Sequence, residues 1–349
     1  MLRYMHERAL FRKYPQLHAT LPWLRLADLP TPVEPLSFAG HDLWIKRDDG
    51  TAPVYGGNKV RKLEFLLAAA RARNAHRLIT VGAAGSHHAL ATTVYGRQLG
   101  FDVTLVLFPQ PLTPHVRDIL LLDQALGAEL RYTRRMESVP AALFVTALRY
   151  RRQGAFIIPA GGSDATGTLG YVDAALELAE QVAAGSIPEP AVVIVAAGTL
   201  GTAAGLALGF ELAGLRTVVK AVRITSKLVT NERVLARLVR GAEVLLQRHG
   251  APVAAGDRAL ARVELLHGHI GGGYGQETDK ARQAAALFGA HDIQLDPTYT
   301  GKAAAAFLEE IRAAARPVLF WQTLSGRAPD VTLAEPASLP APFRNYLAS

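Results

Sequence analysis

The sequence predicts an α/β protein built on open parallel sheets flanked by helices, and three observations carry the prediction. Short strands alternate with helices from Leu78 to Ile224. The strands are apolar along their whole length, as strands buried on both faces are. Glycine-rich loops follow several of them, where open parallel sheets receive ligands. The alternation runs in two stretches, which allows two sheets.

The elements follow in order. Residues Met1 to Pro35 contain Pro15, Pro22, Pro30, Pro32 and Pro35. They read as an irregular, extended arm packed on a body, because proline lacks the N–H that helices and central strands use. Leu43 to Lys46 is a short strand, and Arg47 to Gly57 a loop. Val60, Leu63, Leu66 and Leu67 then recur at helical spacing, with Arg61, Lys62 and Glu64 between them. Leu78 to Val81 is a strand, Gly82 to Gly85 a turn, and Ser86 to Leu99 a helix. Asp102 to Leu107 is the next strand, followed by a helix from Pro114 to Leu126. Glu129 to Tyr132 is a weaker strand. A helix reaches Gln153, and Ala155 to Ile158 is a further strand. Gly161 to Gly167 opens a helix that runs to Ala184. Ala191 to Ala196 is the most apolar strand, bounded by Pro190 and a glycine loop. A helix through Ala213 and a strand from Thr217 to Ile224 come next, and Pro317 to Gly326 holds a buried strand ending at Thr323. No repeat of solenoid period is present.

Composition narrows the function. Of 349 residues, 50% are hydrophobic, enough for one large domain or two smaller ones. The net charge of +8 comes from scattered basic residues without aromatic interleaving, and Arg149, Arg151 and Arg152 read as a solvated helix face. An anionic small ligand suits that charge; nucleic acid is not expected. The absence of cysteine excludes thiol catalysis, disulfides and thiolate metal sites, and no metal is assigned. The opening MLRYMHERALFRKYP is too charged for a signal peptide, and no apolar stretch approaches a membrane span. A cytoplasmic protein without a membrane partner is expected.

Chemistry concentrates in the loops. GGNKVRKLE, Gly56 to Glu64, places Lys59 where a glycine turn becomes a helix. A lysine held there and shielded from water loses charge and becomes a nucleophile, as a Schiff-base lysine must; the alternative is a solvated lysine at a helix start. GAAGSHH, Gly82 to His88, puts Ser86 at a helix start, as a cap or facing a ligand. Residues adjacent on a helix do not face each other, so a Ser–His nucleophile is not expected. AAGTLGTAAG, Ala196 to Gly205, offers backbone amides, two threonine hydroxyls and a helix dipole. That composition suits a phosphate cradle, and a turn needed only for packing is the other reading. It lacks the lysine of a P-loop. HIGGGYGQET, His269 to Thr278, and LDPTYTGKA, Leu295 to Ala303, present Tyr274 and Tyr299 beside helix starts or glycines. Each could equally be a core tyrosine. A shielded lysine, a phosphate cradle and tyrosines on such loops together point to pyridoxal phosphate.

The chain resembles the 1-aminocyclopropane-1-carboxylate deaminase and D-cysteine desulfhydrase family, among the tryptophan-synthase-β-like pyridoxal enzymes. GGNKVRKLE, GGSDATGTLGY (Gly161 to Tyr171), GTLGTAAG and LDPTYTGKA carry the resemblance from about Leu29 to Gly326, in the family's order. It implies a two-domain fold of open twisted parallel sheets: a small α/β domain over 61–170, and a large cofactor-binding domain over 1–60 and 171–349. It implies a homodimer, a small amino-acid substrate, and pyridoxal 5'-phosphate carried on Lys59. Lys59 would also remove the α-proton. Gly198, Thr199, Leu200, Gly201 and Thr202 would hold the phosphate, and Asn58 and His87 would lie near the ring's phenolic oxygen. Ser86 would lie beside the substrate carboxylate and Cα, with Tyr274 and Tyr299 on the reacting face. Thr300 and Thr323 would lie near the pyridine nitrogen. The deaminases carry a glutamate where Thr300 stands. A neutral threonine leaves a weaker electron sink, suited to α,β-elimination of a good leaving group from a D-cysteine-like amino acid. 1-Aminocyclopropane-1-carboxylate deamination, or ligand binding without turnover, are the alternatives. Three positions depart from the family pattern: His87 replaces asparagine, Leu200 replaces glycine, and Gln322-Thr323-Leu324-Ser325 replaces His-Thr-Gly-Gly.

Overall fold

The computed structural model describes residues 8–36, 43–313 and 317–348. The expectations for Met1 to Glu7 and for 37–42 lie outside these residues.

The N-terminal arm departs from the irregular reading. Its first described segment is a short helix α1 (Ala9–Lys13), followed by a 3-10 turn at Pro15–Ala19. Leu10 and Phe11 are buried, and Phe11 stacks edge-on to Trp23 at 5.7 Å. Apolar anchors thus order a segment whose prolines suggested otherwise. The arm then forms β1 (Val33–Pro35), antiparallel to β2 (Leu43–Arg47), at a sheet edge where proline is tolerated.

Helix α2 (Asn58–Ala72) begins after Gly57. That residue has φ +83°, and a Cβ there would lie 2.8 Å from the Thr323 carbonyl oxygen, so both conformation and space demand glycine. The alternation follows as β3 (Arg77–Ala83), α3 (His87–Gln98), β4 (Asp102–Phe108), α4 (Pro114–Ala125), β5 (Glu129–Tyr132), α5 (Val139–Tyr150) and β6 (Ala155–Ile158). Helix α6 (Ala165–Ala183) leads to β7 (Val192–Ala197), α7 (Gly201–Ala213) and β8 (Val218–Arg223). Beyond the predicted alternation come α8 (Glu232–Arg248), α9 (Gly256–Leu260), β9 (Val263–Leu266) and α10 (Asp279–Gly289). Helix α11 (Thr300–Ala313), β10 (Val318–Gln322) and α12 (Ala341–Ala348) are the last elements.

The strands form two sheets. One has four parallel strands in the order β5-β4-β3-β6; the other has six, β1-β2-β10-β7-β8-β9, parallel except at β1. The late strand β10 enters the middle of the second sheet, with Phe320 beside both Ile45 and Ile194. All six residues of β7 and all five of β10 are buried, which explains why neither shows a polar alternation. Helix α12 packs on the four-stranded sheet, its buried Phe343 edge-on to Tyr132 at 5.3 Å. Grouping 171–349 with the larger unit does not anticipate that crossing, which the local pattern of the helix cannot encode. The carboxyl ends of β3, β4, β7 and β10 converge on one cavity between the sheets. Among the described residues, no helix is long and apolar enough to cross a membrane.

Candidate active site

The cavity has a volume of about 440 Å³ and receives residues from both sheets. Every residue assigned to the site from sequence lines it: Asn58, Lys59, Ser86, His87, Gly198 to Thr202, Tyr274, Tyr299, Thr300 and Thr323. The loops that present them are far apart in sequence and meet only because parallel strands all end on one side.

Lys59 sits in the first turn of α2. Its Nζ donates to Asn58 Oδ1 at 2.8 Å, and Asn58 Nδ2 in turn donates to Thr202 Oγ1 at 3.1 Å. Burial lowers the Lys59 pKa to about 8, with Asp296 opposing the shift. The half-buried lysine therefore has no ion-pair partner among the described residues of the site, and it is wired to the glycine loop through Asn58.

That loop opens α7. Leu200 stands at the N-cap with φ +66° and no side-chain cap, so the first-turn amides of α7 point at the cavity without a partner from the cap. Opposite them lies Lys62, buried, donating to Gly161 O and Ser163 Oγ at 3.1 Å each. Ser163 Oγ also meets Thr199 Oγ1 at 2.7 Å. A Cβ at Gly201 would lie 2.6 Å from Ser163 Oγ and 2.8 Å from Lys62 Nζ, so glycine keeps this corner open. Both oxygens that Lys62 binds are neutral, and desolvation with repulsion from Lys59 pushes its pKa well down. A buried amine that a nearby anion would keep protonated, beside uncapped amides, fits a phosphate dianion. The residues present therefore fit pyridoxal phosphate.

Ser86 both caps and lines. Its Oγ accepts from the Ala89 amide at 3.2 Å while facing the cavity. The neighbouring imidazoles are committed elsewhere. His87 Nδ1 meets Tyr55 OH at 2.6 Å and its Nε2 meets His115 Nε2 at 3.1 Å. His88 Nε2 pairs with Thr80 Oγ1 at 3.0 Å. Burial lowers His87 to about 4, so it is neutral near pH 7. With both nitrogens engaged, His87 offers a ligand its ring and backbone amide.

Tyr274 and Tyr299 meet hydroxyl to hydroxyl at 2.6 Å, with their rings edge-on at 6.0 Å. Burial raises Tyr274 to about 12 and holds Tyr299 well above the ordinary tyrosine value, so both phenols keep their protons. Thr300 Oγ1 donates to Asp296 Oδ1 at 2.7 Å and accepts from the Asp296 amide at 2.8 Å. Asp296 also accepts from the Thr298, Tyr299 and Thr300 amides at 2.8 to 3.0 Å, and so fixes the start of α11.

Sequence reasoning missed Lys62, Ser163 and Asp296. Lys62 had a signal, since it lies three positions after Lys59 and so one turn along the same helix face. Asp296 had one too: an Asp-Pro pair ahead of a helix start is a capping pattern. Ser163 had none, because its place depends on how one sheet packs against the other.

A family model for pyridoxal-phosphate dependent enzymes matches residues 24–320. A D-cysteine desulfhydrase of Salmonella paratyphi C (strain RKS4594) is 35% identical over 311 residues, covering 85% of this chain and 91% of the relative. A nocardicin C-9' epimerase of Nocardia uniformis subsp. tsuyamanensis is 36% identical over 321 residues, covering 88% and 94%. A crystal structure of an ACC deaminase homologue superposes with a TM-score of 0.77 at 31% identity, covering 94% of this chain and 97% of that one. A threonine deaminase structure, at 19% identity and a TM-score of 0.60 over 91% of this chain and 97% of that one, shares the fold. With its lysine, its phosphate-fitting turn and these relatives, the chain belongs to the pyridoxal-phosphate dependent enzymes, in the group of the D-cysteine desulfhydrases and ACC deaminases.

Proposed function

We propose that this enzyme is a lyase that eliminates the β-substituent of a small amino acid of the D-cysteine type, releasing the leaving group and an aminoacrylate that water then hydrolyses to a 2-oxo acid and ammonia. The observation that carries the reading is the depressed Lys59 amine, held 2.8 Å from Asn58 Oδ1 in a cavity that also contains the open turn of α7 beside Lys62. Bound pyridoxal phosphate supplies an electron sink that makes the α-proton of an amino acid removable. Lys62, the α7 amides and the Thr199 and Thr202 hydroxyls hold its phosphate. Asn58, His87, Thr300 and Thr323 orient the ring. Ser86 and the first-turn amides of α3 receive the substrate carboxylate. Lys59, once its amine is free and neutral, takes the α-proton. The protonated Tyr274–Tyr299 pair holds a proton for the leaving group. Val81, Phe108, Met136 and Val139 give the cavity an apolar wall. The neutral side chain of Thr300 suits a good leaving group such as a thiolate. The reading takes the protein as cytoplasmic, as its composition leads one to expect, and as homodimeric, as the family resemblance implies.

The test is a panel of D- and L-amino acids, with 1-aminocyclopropane-1-carboxylate included, assayed for 2-oxo acid and sulfide. D-Cysteine is expected to release both, and Lys59→Ala to abolish release together with borohydride-stable attachment of the cofactor. No 2-oxo acid from any panel member would end the lyase reading. The 36% identical epimerase supports a second reading, exchange of the α-proton without elimination. The same panel run in deuterium oxide separates the two: Cα deuteration without 2-oxo acid is its signature.

A further inference from the structure

Lys302 lies on the first turn of α11, two residues after Thr300, and its side chain is completely buried. Its Nζ donates to Ile270 O at 2.7 Å and to Gly273 O at 3.2 Å. Both acceptors belong to the turn that follows β9, and both residues line the cavity. Burial lowers the pKa of this ammonium, and Asp296 opposes the shift. A buried cation on two neutral carbonyls is costly, so its placement calls for a reason.

The turn itself supplies one. Gly271, Gly273 and Gly275 all have positive φ, at +65°, +144° and +76°. A glycine-rich turn has little intrinsic preference for one conformation and loses much entropy when ordered. The Gly273 carbonyl belongs to the same planar peptide unit as the Tyr274 amide. A donor that fixes this carbonyl therefore fixes the plane from which Tyr274 departs. The same helical turn that carries Lys302 follows directly on Tyr299, whose hydroxyl meets that of Tyr274 at 2.6 Å.

We propose that Lys302 is a positioning residue: its ammonium holds the Ile270–Gly273 turn, as a bound monovalent cation would, and so sets Tyr274 against Tyr299 across the cavity. The geometric claim concerns the backbone and is independent of the reaction. Its effect on turnover rests on the lyase reading.

Two measurements on the full chain separate these layers. NMR relaxation of the backbone amides in the cofactor-free protein compares wild type with Lys302→Met. The order parameters of Gly271 to Tyr274 are expected to fall in the variant from the rigid towards the flexible range, with those of β7 and α7 unchanged. Equal loosening everywhere, or an unchanged turn, overturns the proposal. In the loaded enzyme, Lys302→Met is expected to lower kcat by roughly 10²-fold with a small change in KM, the penalty of a misplaced proton donor. Combined with Tyr274→Phe, the two losses should not add, because Lys302 acts through Tyr274. Additive losses mark a merely structural lysine and count against the proposal. Should Lys302→Met not fold, Lys302→Ala is refolded in ethylammonium chloride, which refills the space and returns the charge. Recovery of the fold and of order at the turn supports the proposal; no recovery counts against it. A protein without lyase activity leaves the relaxation experiment fully decisive.

Discussion

The Lys59 amine has lost most of its water, and its pKa falls to about 8, so the folded protein releases a proton that a solvent-exposed lysine keeps. The neutral amine is the form that attacks an aldehyde. Capture of pyridoxal phosphate by the cofactor-free protein is therefore expected to accelerate about tenfold per pH unit below pH 8 and to level off above it. Stopped-flow absorbance checks this; a rise that continues to the ordinary lysine range would mean that Lys59 is solvated. Leu200 illustrates a second residue-scale balance. Its left-handed backbone costs about 1–2 kcal/mol. Burying its side chain returns about 1.5–3 kcal/mol. A leucine therefore holds a position where glycine is the simpler choice, and the amides of the turn remain available.

Helix α2 was legible as a helix from its apolar spacing, but not as a helix buried on all sides. Val60, Leu63, Leu66 and Leu67 are buried as their spacing implies, and so are Arg61, Lys62 and Glu64 between them. Glu64 accepts from the Leu26 and Ala27 amides at 2.8 and 2.9 Å and pairs with Arg8, while Arg61 pairs with Asp48 and Glu177. Each partner lies far away in sequence, so no local pattern could place these charges inside. Helices α3 and α4 enclose another such group. Asp123 of α4 accepts from Thr93 Oγ1 of α3 at 2.7 Å, and burial raises its pKa to about 8. Between pH 3.8 and 8 the unfolded chain has released this proton while the folded chain keeps it. Stability must therefore fall as pH rises through that window. Asp123→Asn removes the dependence. Its melting temperature is expected to exceed that of wild type at pH 8, by on the order of a few kcal/mol in stability, with the gap closing towards pH 4. Thermal denaturation across that range is the check, and a gap that widens on acidification would refute the assignment.

A buried charge network joins the distant parts of the molecule beneath the cavity. Arg61 of α2 binds Asp48 at 2.7 Å and Glu177 of α6 at 3.0 Å, and Lys46 of β2 binds Glu177 at 2.6 Å. Tyr171 and Trp321 donate to the second oxygen of Asp48 at 2.7 and 2.8 Å. Six segments, from the N-terminal arm through Thr31 to β10, are thereby held at one point. Two cations hold the Glu177 carboxyl well below the usual carboxylate range. Its contribution is present above the ordinary glutamate pKa and is lost as pH falls towards the depressed one. Glu177→Gln leaves Lys46 and Arg61 with too little negative charge and is expected to cost about 3–5 kcal/mol near neutral pH. The difference should shrink on acidification. Urea unfolding at several pH values tests both the size and the trend; equal stability at neutral pH would show that the network contributes nothing.

The sequence by itself determined what short range can encode. Apolar runs marked the central strands, spacing marked α2, and glycines with threonines marked the turn at α7. The order of these motifs pointed to the cofactor, and the group of enzymes followed from it. Tertiary structure decided what depends on partners from elsewhere in the chain. It put Lys62 and Ser163 beside the turn that opens α7, occupied both nitrogens of His87 with Tyr55 and His115, and laid α12 on the four-stranded sheet. The reason is physical: backbone preference and hydrophobic period act over a few residues, whereas burying a charge is decided by whichever distant group arrives to neutralise it.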